Sequence, residues 1–213
     1  MQSFVAFINI WFLHLDVQLS TLLALHGSWV YLILFSVIFI ETGLVIMPFL
    51  PGDSLLFVAG ALSASSLLDP WLLFALLVIA AVSGDAVNFF MGTFTRERAI
   101  DTRRILFLKQ DHINRTHNFF ERHGGKTIVL ARFVPIIRTL APFVAALGRM
   151  PPRIFFVYNI IGAVLWVGLL IACGHFFGNI PWVITNLTIV ILGIVFISIL
   201  PVIISWLCSR QSY

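Results

Sequence analysis

The chain has 213 residues, of which 60% are hydrophobic and only 10% charged, with a formal net charge of +4 and a mean hydropathy of +1.04. Ordinary soluble proteins carry roughly 25% charged residues, so the composition excludes soluble domains. The bilayer is the solvent, and the expected fold is an all-α polytopic membrane protein.

The first 13 residues lack any Lys or Arg, so they do not form the positive start of a secretory signal. Phe4, Phe7, Ile8, Trp11, Phe12 and Leu15 instead recur at helical spacing and make one apolar stripe. Residues 1–28 are therefore read as an amphipathic segment lying in the membrane interface, although a helix packed on the rest of the protein fits the same stripe.

Apolar runs follow at residues 30–50, 54–64, 71–94, 127–147, 154–177 and 183–207. A spanning helix needs about 20 apolar residues. The third, fifth and sixth runs are long and free of Lys and Arg, and these are expected to span. The first run holds Glu41 and Pro48 and breaks at Pro51-Gly52-Asp53 before the short second run begins. The fourth carries Arg132, Pro135, Arg138 and Pro142. Proline removes a backbone donor and clashes with the preceding turn, and broken helices survive at membrane depth only where protein or a watery cavity satisfies the freed groups. Residues 30–64 and 127–148 are thus read as two re-entrant hairpins.

Eight of the 13 basic residues lie between Arg96 and Lys126, which places the loop at 95–126 in the cytoplasm by the positive-inside rule. A second hairpin that dips in and returns keeps Arg149 and Arg153 on that side, and two further crossings leave Arg210 and the C-terminus there too. The loop's four acids, Glu97, Asp101, Asp111 and Glu121, make it an ordinary positive-inside loop, and no nucleic-acid partner is expected. His112, His117 and His123 share no helical face, and no metal or cofactor is expected from them. Cys173 and Cys208 sit in apolar runs and read as packing residues.

The two broken regions resemble each other. Phe57-Val58-Ala59 follows the first break and Phe143-Val144-Ala145 the second, and a glycine-bearing span lies downstream of each. Hairpins entering from opposite faces would make the repeat inverted, the arrangement that marks a transport site near the midplane.

Ionisable residues inside a membrane cost several kcal/mol or less favourable still, and mark function by default. The candidates are Glu41, Asp53, Asp85, Arg132 and Arg138, with Asn88 about one turn beyond Asp85. On an unbroken helix Arg132 and Arg138 would point about 120° apart; Pro135 between them lets the two guanidinium forks converge on a phosphate, which they can grip bidentately. Arginines that merely pair with acids to lock the hairpins fit the same pattern. Asp53 also suits a helix N-cap, whereas Glu41, in mid-run, is either paired or protonated. The expected scheme has Glu41 and Asp53 balancing Arg132 and Arg138 and carrying protons, with Asp85, Asn88, Pro51, Gly52 and Pro135 in support.

At these residues the chain resembles the bacterial DedA family, also described as the VTT or SNARE-associated-domain family. The matching stretches are Glu41-Thr42-Gly43-Leu44, Phe49-Leu50-Pro51-Gly52-Asp53-Ser54-Leu55-Leu56, Gly84-Asp85 and Ala131-Arg132-Phe133-Val134-Pro135-Ile136-Ile137-Arg138, continuing through Asn159 and Gly162 to residues 174–178. Phe89-Phe90 departs from relatives that carry tyrosine there. The resemblance implies two opposed re-entrant hairpins in a bacterial inner membrane and essential acids and arginines at Glu41, Asp53, Arg132 and Arg138. It also implies movement of lipids that depends on the proton motive force, with undecaprenyl phosphate recycling the leading activity and phospholipid scrambling the alternative. A proton-coupled exporter of small cations would use the same acids but has little need of two arginines. A lipid-phosphate hydrolase would need a Lys ahead of an Arg-Pro pair and a Ser-Gly-His set, neither of which is present, so no enzyme is expected. The sequence leaves the oligomeric state open, a homo-oligomer included.

Overall fold

A computed structural model of the chain describes residues 28–44, 52–64, 68–102, 124–178, 180, 182–183, 190 and 193. The amphipathic segment before residue 28, Pro51, the loop histidines, Cys208 and nearly all of the run at 183–207 lie outside the described residues. Six helices account for the regular structure among the described residues: α1 (Trp29–Gly43), α2 (Gly52–Ala64), α3 (Pro70–Thr102), α4 (Lys126–Ala131), α5 (Pro135–Leu147) and α6 (Pro152–Phe177).

Two stretches, Pro70–Glu97 of α3 and Pro152–Phe177 of α6, are long and apolar enough to cross a bilayer. At 1.5 Å per residue, the 26 residues of α6 extend about 39 Å, more than the roughly 30 Å of a hydrocarbon core. Large apolar side chains such as Ile79, Phe90, Leu165 and Leu169 are exposed along both, as lipid-facing residues would be. The other helices are too short to cross alone: α1 has 15 residues, α2 and α5 have 13 each, and α4 has six.

Local chemistry sets several boundaries. Asp69 caps α3, its Oδ1 accepting from the amides of Trp71 at 2.9 Å and Leu72 at 2.8 Å. Pro70, which has no N–H to leave unsatisfied, takes the first helical position. Between α4 and α5 the chain turns through Arg132, Phe133 and an extended Val134 before Pro135 opens α5. Proline disfavours helix in the residue before it, so the break predicted at Pro135 is where the helix stops and restarts. Pro142, by contrast, lies inside α5.

The chain divides into two compact units. The first comprises residues 1–37, 49–77 and 167–213. In it, α2 crosses the end of α6 with almost no space between backbones. A Cβ on Gly174 would come within 2.9 Å of the Phe57 carbonyl carbon and 3.0 Å of the Ala61 amide nitrogen. Ser63 and His175 add a polar contact there, Oγ to Nδ1 at 2.9 Å, and the Asp69 amide donates to the Tyr31 hydroxyl at 2.8 Å.

The second unit comprises residues 38–48 and 78–166. Its core gathers Phe89, Ile128, Ala131, Ala141, Ala145, Ala146, Met150 and Phe155, with the Phe89 and Phe155 rings stacked at 4.2 Å. Here α5 crosses α3 as α2 crosses α6. A Cβ on Gly92 would lie 2.6 Å from the Phe143 carbonyl oxygen and 2.8 Å from Ala146 Cβ. Phe57 and Phe143 are the matching residues of the Phe-Val-Ala pair, so in each unit the same register of a short helix rests its backbone on a glycine of a long one. Forcing a side chain into such a crossing costs about 1–3 kcal/mol. Gly92→Val and Gly174→Val should each lower the thermal unfolding midpoint in detergent by several degrees. Gly168→Ala, which would meet only the tip of the Phe74 ring at 3.3 Å, should leave it nearly unchanged.

Candidate functional site

The second unit gathers charged groups from α1, α3, the end of α4 and α5, and uncharged ones from α6. Glu41 stands on the last turn of α1, which passes α3 at a glycine pair: a Cβ on Gly43 would lie 3.5 Å from Gly84 Cα, and one on Gly84 would lie 2.8 Å from the Phe39 carbonyl oxygen. This approach leaves Glu41 and Asp85 each one to two residues from a backbone crossing. Thr42 turns its hydroxyl back to the Ile38 carbonyl at 2.8 Å and adds no further demand at the junction. Arg132 caps the end of α4 and Arg138 sits in the first turn of α5, its amide donating to the Val134 carbonyl at 2.8 Å. From α6, Asn159, Gly162 and Trp166 follow one another at spacings of three and four, which stacks them on one face.

Arg132 donates through Nη2 to Asp85 Oδ2 and to Asn159 Oδ1. Asn159 is itself fixed by donation to the Val82 carbonyl at 3.2 Å. Arg138 donates through Nη2 to Glu41 Oε1. The two guanidinium groups lie over the same indole, with the Cζ of Arg138 at 4.4 Å and that of Arg132 at 5.8 Å from the Trp166 centroid, within the range of a cation–π attraction. Gly162 makes room for this, since a Cβ there would lie 3.4 Å from Arg132 Nε. Asn88 stitches the frame together by donating to the Thr139 carbonyl at 2.7 Å and the Thr42 carbonyl at 3.3 Å.

All four charged side chains are buried: Glu41 is 1% exposed, Asp85 2%, Arg132 2% and Arg138 5%. Two cations face two anions, so the cluster is neutral as a whole. It is not fully satisfied. Asp85 Oδ1, Arg132 Nη1 and Asn88 Oδ1 are buried with no hydrogen-bond partner among the described residues. The gap enclosed by Asp85, Ile128, Arg132, Arg138, Ala141 and Pro142 has no room for a water molecule. Asp85 and Arg132 therefore keep polar atoms at this gap beyond those used in their mutual bond.

Of the residues singled out in the sequence, Glu41, Asp85, Asn88, Arg132 and Arg138 come together in this unit, with Pro135 at the bend between the arginines. Gly52 and Asp53 belong to the first unit, in the first turn of α2, with Asp53 half-buried. The carboxylate bonded to Arg132 is Asp85, expected only in a supporting role. Trp166 was not anticipated, and Asn159 entered only through the family likeness. The three-and-four spacing of Asn159, Gly162 and Trp166 on an otherwise apolar span was the available signal.

Truncating one partner of a buried ion pair strands the other, at about 3–5 kcal/mol. Asp85→Leu and Arg132→Leu should each show losses of that order in unfolding measurements in detergent. The double variant should recover most of the loss, whereas additive losses would show that the pair is not coupled.

A VTT domain model matches residues 50–176. The chain is 50% identical over 202 residues to Protein DedA of Escherichia coli K12, covering 94% of this chain and 92% of that protein. It is 40% identical to an uncharacterized membrane protein of Mycobacterium leprae, covering 79% and 76% of the two chains. It is 33% identical to the inner membrane protein YghB of Escherichia coli K12, covering 73% and 71%. No solved structure matches. With a matching domain over more than half its length and a relative at half identity across nearly all of it, this chain belongs to the DedA family of membrane proteins.

Proposed function

We propose that this protein is a lipid transporter of the bacterial inner membrane that carries undecaprenyl phosphate to the cytoplasmic leaflet together with protons, and is not an enzyme. One observation carries the reading: two buried arginines converge on a single indole ring, each already bonded to a carboxylate. A guanidinium fork binds carboxylate and phosphate in the same planar, two-pronged geometry. A phosphate can therefore replace a carboxylate without either arginine losing a counter-charge. Among these lipids, undecaprenyl phosphate is favoured by the family likeness alone, since apolar walls receive a polyprenyl chain and a diacyl chain alike.

The proton follows from charge balance. A phosphate that takes over Arg132 and Arg138 leaves Asp85 and Glu41 as bare anions beside a third, in a space of low dielectric. Proton uptake by the displaced acids removes that repulsion. Asp53 is assigned to the same proton path on the strength of the family pattern. Once the headgroup leaves, the arginines recover their carboxylates and the protons depart with it. The driving force is then a proton gradient, and the neutral closed cluster is the resting state between turnovers.

The movement is assigned to two re-entrant hairpins, α1–α2 and α4–α5, entering from opposite faces. The short helices, the bend at Pro135 and the matched crossings of α2 on Gly174 and α5 on Gly92 support this reading. A proline-bearing break in each hairpin lets it swing while the long helices stay fixed.

In proteoliposomes with an imposed pH gradient, the wild type should move undecaprenyl phosphate in preference to phospholipid. Arg138→Ala should reduce that flux at least about tenfold, the equivalent of about 1.4 kcal/mol of lost headgroup binding. Glu41→Gln should keep some flux while losing its response to the gradient. Undiminished, proton-stimulated flux in both variants would overturn the mechanism, and equal movement of all lipids without a gradient would make the protein a scramblase.

A further inference from the structure

The end of α5 contains a residue in an unfavourable backbone conformation. The helix closes with the Met150 amide on the Ala145 carbonyl at 3.0 Å and the Arg149 amide on the Ala146 carbonyl at 3.2 Å. This is the double bond of a Schellman ending, whose left-handed position usually belongs to glycine. Here that position holds Arg149 at φ 60°, while Gly148, one residue earlier, sits at φ −74°, where any residue would serve. A side chain in the left-handed region crowds its own backbone, so the site retains an arginine at a cost that glycine would not incur.

The side chain borders a cleft. Arg149, Arg96, Glu97, Thr93, Pro151 and Pro152 are among the residues lining a cavity of about 370 Å³ within the second unit. That volume falls in the range of small-molecule sites. Arg96, from α3, anchors its Nη1 on the Ala146 carbonyl at 2.8 Å, the same oxygen that receives the Arg149 amide. The guanidinium of Arg96 and the backbone of Arg149 thus meet at one carbonyl at the cleft edge, and Arg96 has further guanidinium donors beyond the one used. Attraction between cations and the negative end of a helix accounts for Arg96 alone; it does not account for an arginine in a strained position that places it on the same cleft. Phe89 and Met150 supply an apolar wall, and the two prolines a stiff rim.

We propose that this cleft binds a phosphate oxyanion between Arg96 and Arg149, as a station separate from the buried cluster. Its Thr93 hydroxyl is engaged with the Phe89 carbonyl at 3.2 Å, so the arginines are the donors available to the anion. On the charge-based topology this face is cytoplasmic, and the station would receive a headgroup leaving the buried arginines; that placement rests on the transport reading, whereas the anion site itself does not.

The test uses the full chain in detergent and two probes, inorganic phosphate and dihexanoyl phosphatidic acid, with binding followed by calorimetry. Arg149→Gly should weaken binding about tenfold while raising the unfolding midpoint by about 2–4 °C, because glycine relieves the backbone strain. Arg149→Asn, which also tolerates the left-handed region, should weaken binding to the same degree. Tighter binding of the phosphatidic acid assigns the site to lipid headgroups, and equal binding of both probes assigns it to free phosphate; either supports an anion site. Affinity unchanged within twofold in both variants would overturn it. Arg132→Ala separates the two readings: if lipid flux proves absent from the wild type but Arg149-dependent binding persists in Arg132→Ala, the transport reading fails and the cleft stands.

Discussion

A guanidinium group withdrawn from water must have an anion beside it, and here two such groups are withdrawn together. Arg132 and Arg138 are each bonded to a carboxylate from a different helix, Asp85 on α3 and Glu41 on α1. Each bond joins a short, broken segment to an element distant in sequence. The surrounding glycines can be understood from this demand. Gly43 and Gly84 let α1 and α3 approach at the level of the acids, and Gly162 leaves space for the arm of Arg132. The charges define where backbones must meet, and the small residues allow it.

Such a cluster contributes less to stability than to choice of structure. Replacing a buried ion pair with well-packed apolar groups is often neutral or stabilising, so stability alone gives no reason to keep four ionised side chains. Exchange does. Each partner of a buried pair can be taken over by another ion of the right sign, and a cluster with a guanidinium nitrogen and a carboxylate oxygen left unsatisfied among the described residues is close to such an exchange. The same logic explains why the break at Pro135 lies between the arginines: a continuous helix would direct them apart, and the turn through Val134 brings both over Trp166.

Much of this was legible in the sequence because the membrane makes charge rare. Against so apolar a background Glu41, Asp85, Arg132 and Arg138 stand out individually, and prolines at 135 and 142 signal the interruption beside them. Pairing was harder to read. Linear proximity says nothing about which helix passes which, and Asp85, expected only in support, is the carboxylate bonded to Arg132. Asp85 meets Arg132 at a separation of 47 residues along the chain, and Gly84 beside it marks a close crossing with α1; a glycine is visible in the sequence while its crossing partner is not. Trp166 was masked for a different reason: tryptophan in a membrane span is ordinarily a lipid or interface residue, and only its register with Asn159 and Gly162 marks it as facing inward. The strain at Arg149 could not be read at all, since Gly148 next to it is the residue that sequence logic would assign to the turn.

The crossing of α2 over α6 bears on how the chain enters the membrane. The backbone at Phe57 and Gly60 meets its partner only at Ile171 and Gly174, more than a hundred residues later in synthesis. Until that stretch emerges, a 13-residue helix too short to span lacks the backbone it rests on in the folded protein. The ribosome therefore delivers the first half of the protein well before the half that completes it. Insertion must therefore tolerate an interval in which α2 is present without the helix it rests on, and the crossing at Gly174 closes only after most of the chain has been made.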